Sequence, residues 1–381
     1  MLLAVYKDDQ MNYESDVAIV GAGPAGSTAA YVLAKLGLNV IIIDKSSFPR
    51  DKLCGGLLSS KSVRLLEKIF DETEESLNKK IINFSSNMFQ VMFREKTLAK
   101  YYSKTPTYFV ERTVYDNFLL DKAISSGATF IQDETVKKVD LDSNFLFTSK
   151  GNKIISKYIV GADGANSIVR KEFENNGIIC KDIWRNNLGI TLEISIDKKK
   201  LPIEKNIIYL YFGYIKNGYA WIFPNMDKSI IGIGGLLKDI NNDSINDMFI
   251  DFLISLGFDK KTIDSIIKKI RGHPIPFGNY IEKPIYKKTI LVGDAAGFVN
   301  SITGEGIYYA HKSAEIAANA ILKDYTDEGK LGENYIGNLN LLLLPELYNS
   351  KKSRNLYFKI FNNYYLAKIA SFYMFKNTKY Y

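Results

Sequence analysis

The sequence predicts an α/β fold: a parallel-sheet domain interrupted by an antiparallel sheet and followed by a C-terminal helical segment. Three observations predict it. Residues 16–44, DVAIVGAGPAGSTAAYVLAKLGLNVIIID, read as strand, helix and strand. From about 181 to 280 the texture changes to short strands separated by turns such as KNG and NMDK. At KKTILVGDAAG, residues 287–297, a buried-strand pattern returns and a helix follows.

The elements follow in order. Asp16–Val20 is a short apolar run with branched residues, the pattern of a buried parallel strand. Pro24–Gly37 has helical composition and stops at a glycine. Asn39–Ile43 is a second buried strand, ending at Asp44. Residues 61–80 read as helix and 81–111 as strands, and RTVYDNFLLDKAISSGA is an amphipathic helix ending near Gly127. KYIVGADG, residues 157–164, is another buried strand running into a turn. LGITLEISI, NIIYLYFGYI, GYAWIFP and SIIGIGGLL form the antiparallel sheet. One or two helices are expected over 245–270, and another over about 304–323. The first domain is therefore discontinuous, built from 15–80, 105–180 and 285–325. The sheet domain takes 81–104 and 181–284, a helical segment takes 326–381, and 1–14 is a disordered lead.

Composition excludes several classes. The chain has 381 residues, with His273, His311, Cys54 and Cys180 as its whole set of histidines and cysteines. Two cysteines make no disulfide framework, and no zinc spacing occurs, so no metal is expected and a reducing, cytoplasmic setting is. No run reaches about 18 uncharged apolar residues, so no spanning helix is expected. Charges come too early in MLLAVYKDDQMNYES for a signal peptide, and Met11 is an alternative start. The net charge is +8, but the lysines and arginines are scattered, which argues against nucleic acid.

Gly21, Gly23 and Gly26 form G-x-G-x-x-G between a strand and a helix. The first glycine allows a tight turn, the second lets the backbone approach a pyrophosphate, and the third lets helix and strand pack closely. The helix N-terminus adds free N–H groups and the positive end of a dipole. Asp44, at the end of the next strand, can accept hydrogen bonds from an adenosine ribose and would repel a 2′-phosphate. Two further segments bear on which dinucleotide binds. GADGANSIVR puts Asp163 at a strand end beside Gly164, where capping a turn is an equally good role. LVGDAAGFVNSITGEGI puts Asp294 at another strand end, placed to bond a ribityl hydroxyl. Gly304 and Gly306 then start a helix whose N–H groups can face a flavin.

Together these three segments resemble the flavoprotein hydroxylase superfamily, over roughly residues 16–325. The resemblance implies FAD, bound extended across a Rossmann-like domain of the p-hydroxybenzoate hydroxylase type. Arg112 and Asp116 match that superfamily's R-x-x-x-D helix start, although an ordinary helix-terminus ion pair gives the same pattern. The cofactor set so implied is Gly21, Gly23, Ala25, Gly26, Asp44, Lys45, Arg50, Cys54, Gly55, Arg112, Val136, Asp163, Asp294, Gly304, Gly306 and Ile307.

Within that superfamily, PRDKLCGGLL followed by GYAWIFP resembles the geranylgeranyl reductase family. The first matches through Pro49, Arg50, Lys52, Cys54, Gly55 and Gly56, a segment that in the family runs over the flavin. The second matches through Tyr219, Trp221, Phe223 and Pro224, a strand lining an apolar cavity. Halogenases have W-x-W-x-I-P in a similar place, where this chain has Tyr219 and Phe223. The family implies reduction of isoprenoid C=C bonds in prenyl lipids; ferredoxin and a reduced nicotinamide are the candidate electron donors.

The residues agree with a long apolar substrate. Alternation puts Tyr219, Trp221 and Phe223 on one side of a strand, and Tyr209 and Tyr211 together on its neighbour. Aromatic walls with polar tips suit an apolar chain, while plain sheet packing is the alternative. Cys54 has three readings: a small residue beside the flavin, a proton donor, or an inert buried thiol. Tyr219 and Trp221 join it as catalytic candidates. Cys180 reads as structural, His311 as packed or exposed, and RGHPIPFG around His273 as a rigid connection. GIGG at 232–235 lacks a following helix and reads as sheet. In the last 27 residues, Leu356, Ile360, Tyr364 and Ala367 share a face of one amphipathic helix, suited to docking on its own protein or at the inner face of a membrane. The rival functions are a monooxygenase or halogenase acting on an aromatic, and a flavin- or lipid-holding protein with an idle site.

Overall fold

The structure is a computed structural model that describes residues 11–240 and 244–375. The run Val17–Val20 carries no polar side chain, and it lies at the centre of the first sheet, with Val17, Ala18 and Ile19 wholly buried. Its strand, Asn12–Val20, pairs in parallel with Val40–Ile43 on one side and Lys153–Gly161 on the other. Thr129–Ile131 extends the sheet beyond Val40–Ile43, and Thr289–Leu291 extends it beyond Lys153–Gly161. The last of these pairings returns the chain to its first domain after the excursion through the second sheet, Leu188–Pro276.

The strand starts earlier than expected. Residues 12–14 were assigned to the disordered lead, but they pair with Lys153, Ile154 and Ile155. Asn12 and Glu14 are polar and exposed, which hides this extension from a hydrophobicity pattern. The rest of that expected lead, 1–10, lies outside the described residues.

Helices Pro24–Lys35, Arg112–Ser125 and Ile307–Thr326 pack together on one side of this sheet. His311 knits them: Thr28 Oγ1 lies 2.6 Å from Nδ1, and Tyr115 Oη 2.6 Å from Nε2. The expected helix over 61–80 is two helices, Ser60–Phe70 and Glu74–Lys80. Asp71 adopts the left-handed conformation that ends the first, and Thr73 caps the second.

The second sheet runs, in spatial order, Arg271–Pro276, Leu188–Asp197, Lys228–Leu236, Gly218–Pro224, Ile208–Phe212, Ile82–Phe93, Lys96–Val110 and Leu57–Leu58. It is mixed rather than wholly antiparallel, because Ile208–Phe212 pairs in parallel with Ile82–Phe93. The strand expected to leave this domain at 104 stays in the sheet to Val110. One face is covered by helices Ile245–Ser255 and Lys260–Ile267. The other face turns toward the parallel-sheet domain and carries the site.

Among its described residues, the C-terminal segment forms three helices, Leu331–Leu342, Leu344–Phe361 and Tyr364–Phe375. The single amphipathic helix expected here is broken at Asn362–Asn363. Asn363 Oδ1 accepts from the N–H of Leu366 and starts the last helix, while Asn362 Nδ2 donates to the Lys216 carbonyl. Leu356 is 63% exposed, and Arg354, Phe358 and Phe361 bury instead. Among the described residues no helix is long and apolar enough to cross a membrane.

Candidate active site

The glycine turn is built by close packing. Gly21 has φ +100°, and a Cβ there would lie 2.5 Å from the Ala162 carbonyl oxygen. A Cβ on Gly26 would collide with the Gly21 carbonyl oxygen. The helix that follows has Gly23 at its N-cap, with no side-chain cap on its free N–H groups. Asp44 braces this turn: Oδ2 accepts from the Ala22 N–H at 2.8 Å and Oδ1 from the Ser46 N–H at 2.9 Å. Each oxygen keeps a second lone pair for a ligand. Ala25 is buried in the first helical turn, Lys45 follows Asp44, and Val136 is buried at the start of the Val136–Asp140 strand.

Arg50 sits over the same turn, with Nη2 3.6 Å from the Cβ position of Gly23. That nitrogen also reaches Asp116 Oδ2 at 3.0 Å. Arg112 holds Asp116 with two bonds, of 2.7 and 2.8 Å, and the Cys54 thiol lies beside its guanidinium. One buried carboxylate is thus shared by two arginines, leaving one positive charge in excess. Arg50 Nη1 is buried without a partner among the described residues. An unpartnered guanidinium N–H beside an uncapped helix start fits a pyrophosphate.

Asp163 takes the capping role. Its Oδ2 accepts from the N–H groups of Ile168 and Val169, at 2.6 and 3.3 Å. Its Oδ1 is buried without a partner among the described residues, and burial pushes its pKa up. Asp294 lies in the Gly293–Ala296 turn after the Thr289–Leu291 strand. Burial pushes its pKa up too, against the pull of Lys52 and Arg112. Gly306, the uncapped start of the Ile307–Thr326 helix, faces Asp294, with 3.3 Å between its Cβ position and Oδ1.

The segment 54–56 meets the aromatic strand. A Cβ on Gly55 would lie 2.6 Å from the Phe223 ring, so the backbone touches the ring directly. Gly56 has φ +69°, and Val110 N–H donates to its carbonyl at 2.9 Å. Cys54 is a half-buried free thiol whose sulfur accepts from the Gly56 N–H at 3.5 Å. Ser59 Oγ and Lys61 Nζ then bind Glu305 at 2.6 and 3.2 Å. Tyr219 closes the third side, its hydroxyl donating to the Thr303 carbonyl and lying 3.7 Å from the Cβ position of Gly304. The glycine turn, segment 49–61, the 300–306 loop and the aromatic strand thus converge.

Tyr219, Trp221 and Phe223 share one face, with successive ring centroids 5.6 and 5.9 Å apart. Tyr209 and Tyr211 do not join them. Trp221 pairs with Leu210, so it is Ile208, Leu210 and Phe212 that share its face. Tyr209 and Tyr211 point the other way, and Tyr211 packs 4.9 Å from Phe252 between their centroids. Pro224, one residue beyond Phe223, falls on that far face as well.

Three polar residues outside the expected set complete the site. Glu193 lies in the row Trp221–Gly232–Glu193–Arg271 across four strands. Its carboxylate accepts from the Gly55 N–H, and burial pushes its pKa up to about 7. Lys52 Nζ donates to His273 Nε2. Burial lowers Lys52 to about 8 and, with Lys52 and Arg112 beside it, His273 to about 4. A signal for Glu193 was present: the alternation of LGITLEISI puts Thr191, Glu193 and Ser195 on one face.

Residues 14–208 match the FAD binding domain family. The chain is 36% identical to an uncharacterised protein of Methanosarcina barkeri, over 80% of this chain and 74% of that one. It is 31% identical to digeranylgeranylglycerophospholipid reductase 3 of Methanosphaera stadtmanae, over 83% and 80%. Among solved structures, the fold is similar to a geranylgeranyl bacteriochlorophyll reductase-like protein of Thermoplasma acidophilum, with TM-score 0.73, 19% identity and 95% and 96% of the two chains covered. It is also similar to the halogenase PltM in complex with phloroglucinol and FAD, with TM-score 0.71, 17% identity and 93% and 78% covered. FAD is therefore the cofactor of this chain. The chain belongs to the geranylgeranyl reductase family of FAD-binding flavoproteins.

Proposed function

We propose that the protein reduces C=C bonds of a prenyl lipid of the geranylgeranyl type, with reduced FAD supplying the hydride from N5. One observation carries the reading. The face that meets segment 54–56 is an apolar wall of Ile208, Leu210, Phe212, Tyr219, Trp221 and Phe223, long enough to lay a chain against and poor in groups that would bind a polar substrate.

The chain's own residues do the rest. Arg50 and the uncapped helix start hold the cofactor's phosphates, and Asp163 and Asp294 take its hydroxyls. Gly55, pressed on Phe223, keeps the backbone thin where cofactor and wall meet. Cys54, beside Arg112 and bonded by the Gly56 N–H, sets the position of that backbone. Trp221 and Tyr219 hold one double bond at a time, an orientation effect. Electrons come from ferredoxin or a reduced nicotinamide that visits transiently. The Tyr364–Phe375 helix exposes Tyr365, Ile369 and Tyr373 beside Lys368, while its Ala367 closes on the Phe212–Phe361 cluster next to the wall. That surface suits the anionic face of a membrane from which a lipid would enter.

The test is anaerobic. Purified protein is reduced with dithionite, a geranylgeranylated lipid is added, and flavin absorbance is followed together with the lipid's mass. Reoxidation with a gain of two hydrogens per bond is expected. A flavin that stays reduced until oxygen is admitted, and then turns over an aromatic, would favour the second reading, an oxygen-using enzyme of the same fold as the halogenase.

A further inference from the structure

The site face is divided. On one side of the Lys228–Leu236 strand lies the apolar wall, and on the other lie Thr191, Glu193, His273 and Arg271. Between them the strand itself offers Gly232 and Gly234, which leave no side chain to separate the halves. Trp221 fills that gap. Its Nε1 lies 2.7 Å from the Cβ position of Gly232, and its N–H has no partner among the described residues. The next residue in the row is Glu193, which is 5% exposed. A buried carboxyl at the edge of an apolar wall is costly unless a task keeps it there.

Resting on the reductase reading, we infer that Glu193 donates the proton that completes alkene reduction, and that Lys52 and His273 resupply it. The alkene gains two electrons as hydride from the reduced flavin and one proton from the Glu193 carboxyl. One π bond is lost, two C–H bonds form, the flavin is left oxidised, and Glu193 is left as carboxylate. Its proton returns from solvent through the Lys52–His273 pair, at the charged rim where Arg271 meets Asp51.

The groups facing Glu193 come from every element around it. Lys52 and the Gly55 N–H lie on segment 52–55, Arg112 on its helix, Arg271 on the adjoining strand, and Tyr219 along the wall. The cations favour the carboxylate and burial favours the acid, and burial prevails, leaving a group that titrates near neutrality. A proton donor of that strength is matched to work near pH 7. Cys54 is the neighbouring alternative; its sulfur accepts from the Gly56 N–H, and the pH limb of Glu193→Gln tells the two donors apart.

The test compares wild type with Glu193→Gln and Glu193→Asp as FAD-loaded proteins. In single-turnover reduction of a geranylgeranyl lipid, the wild-type rate should fall as pH rises through about 7. Glu193→Gln should lose on the order of 100-fold and that pH limb, with flavin content unchanged. Glu193→Asp should regain part of the rate. Independently of turnover, infrared difference spectra between low and high pH should show a carboxylic-acid band titrating near neutrality in wild type and missing in Glu193→Gln. A Gln variant with wild-type rate and pH limb, or spectra lacking that band, overturns the assignment. Wild type that shows the band yet reduces no prenyl lipid overturns the reductase reading and the donor role with it, while leaving the burial argument intact.

Discussion

The indole of Trp221 lies against the backbone of Gly232, so closely that a Cβ at position 232 would collide with the ring. The strand carrying Gly232 therefore serves as a floor, and the ring is held at a fixed height above it. In Gly232→Ala the ring must move away from the strand. Overpacking of this kind costs about 1–3 kcal/mol. We expect flavin content to stay at the wild-type level while kcat/KM falls roughly tenfold or more for geranylgeranyl lipids. Equal activity across chain lengths would place the substrate elsewhere.

Asp294 faces the uncapped helix start at Gly306, with burial already acting on its carboxyl. Asp294→Ala removes an acceptor for the cofactor. A hydrogen bond to a charged group is worth about 1.5–3 kcal/mol, so FAD affinity should fall at least roughly tenfold. The flavin-to-protein absorbance ratio after gel filtration reads this directly, and a wild-type ratio would remove Asp294 from the cofactor site.

Cys54 is a positioning residue on this account. Cys54→Ser keeps a small side chain but changes the contacts with Arg112 and the Gly56 N–H. Misplacing the segment should slow alkene reduction on the order of tenfold, with flavin retained and the pH limb unmoved. A shifted limb would show instead that the thiol takes part in proton delivery.

His311 makes stability sensitive to acid. Its ring is buried between Thr28 and Tyr115, and burial lowers its pKa from 6.5 to about 3. The unfolded chain therefore binds a proton that the folded chain refuses between those values. The stabilisation is complete above pH 6.5 and declines as pH falls through the window, by about 2 kcal/mol at pH 5. Urea midpoints at pH 7 and pH 5 should differ accordingly in wild type, and less so in His311→Gln. Equal acid losses in both proteins would show that other groups set the acid limit.

What the sequence reveals depends on whether a residue's neighbours are local. The parallel core was legible because runs such as Val17–Val20 and Val40–Ile43 need no partner to declare themselves buried. Strands 218–224 and 206–215 were also legible, but alternation fixes parity only within each strand. The cross-strand register that pairs Trp221 with Leu210 decides which tyrosines share the face of Trp221, and nothing local encodes it. Glu193 escaped for a related reason, since one acid in an alternating strand reads as solvent-facing until another layer covers it. The break at Asn362–Asn363 escaped because two asparagines in a helical pattern can point outward as easily as cap.

The convergence of distant segments has a consequence for synthesis. The glycine turn at 21–26 and the cysteine segment leave the ribosome early, the aromatic strand much later, and Asp294 and Gly306 later still. The Thr289–Leu291 strand must then find Ile159–Gly161, about 130 residues upstream, before the cofactor has all its walls. A nascent chain that has not yet reached residue 294 lacks the last of these segments, and a ligand spanning all of them would stabilise the finished fold by mass action.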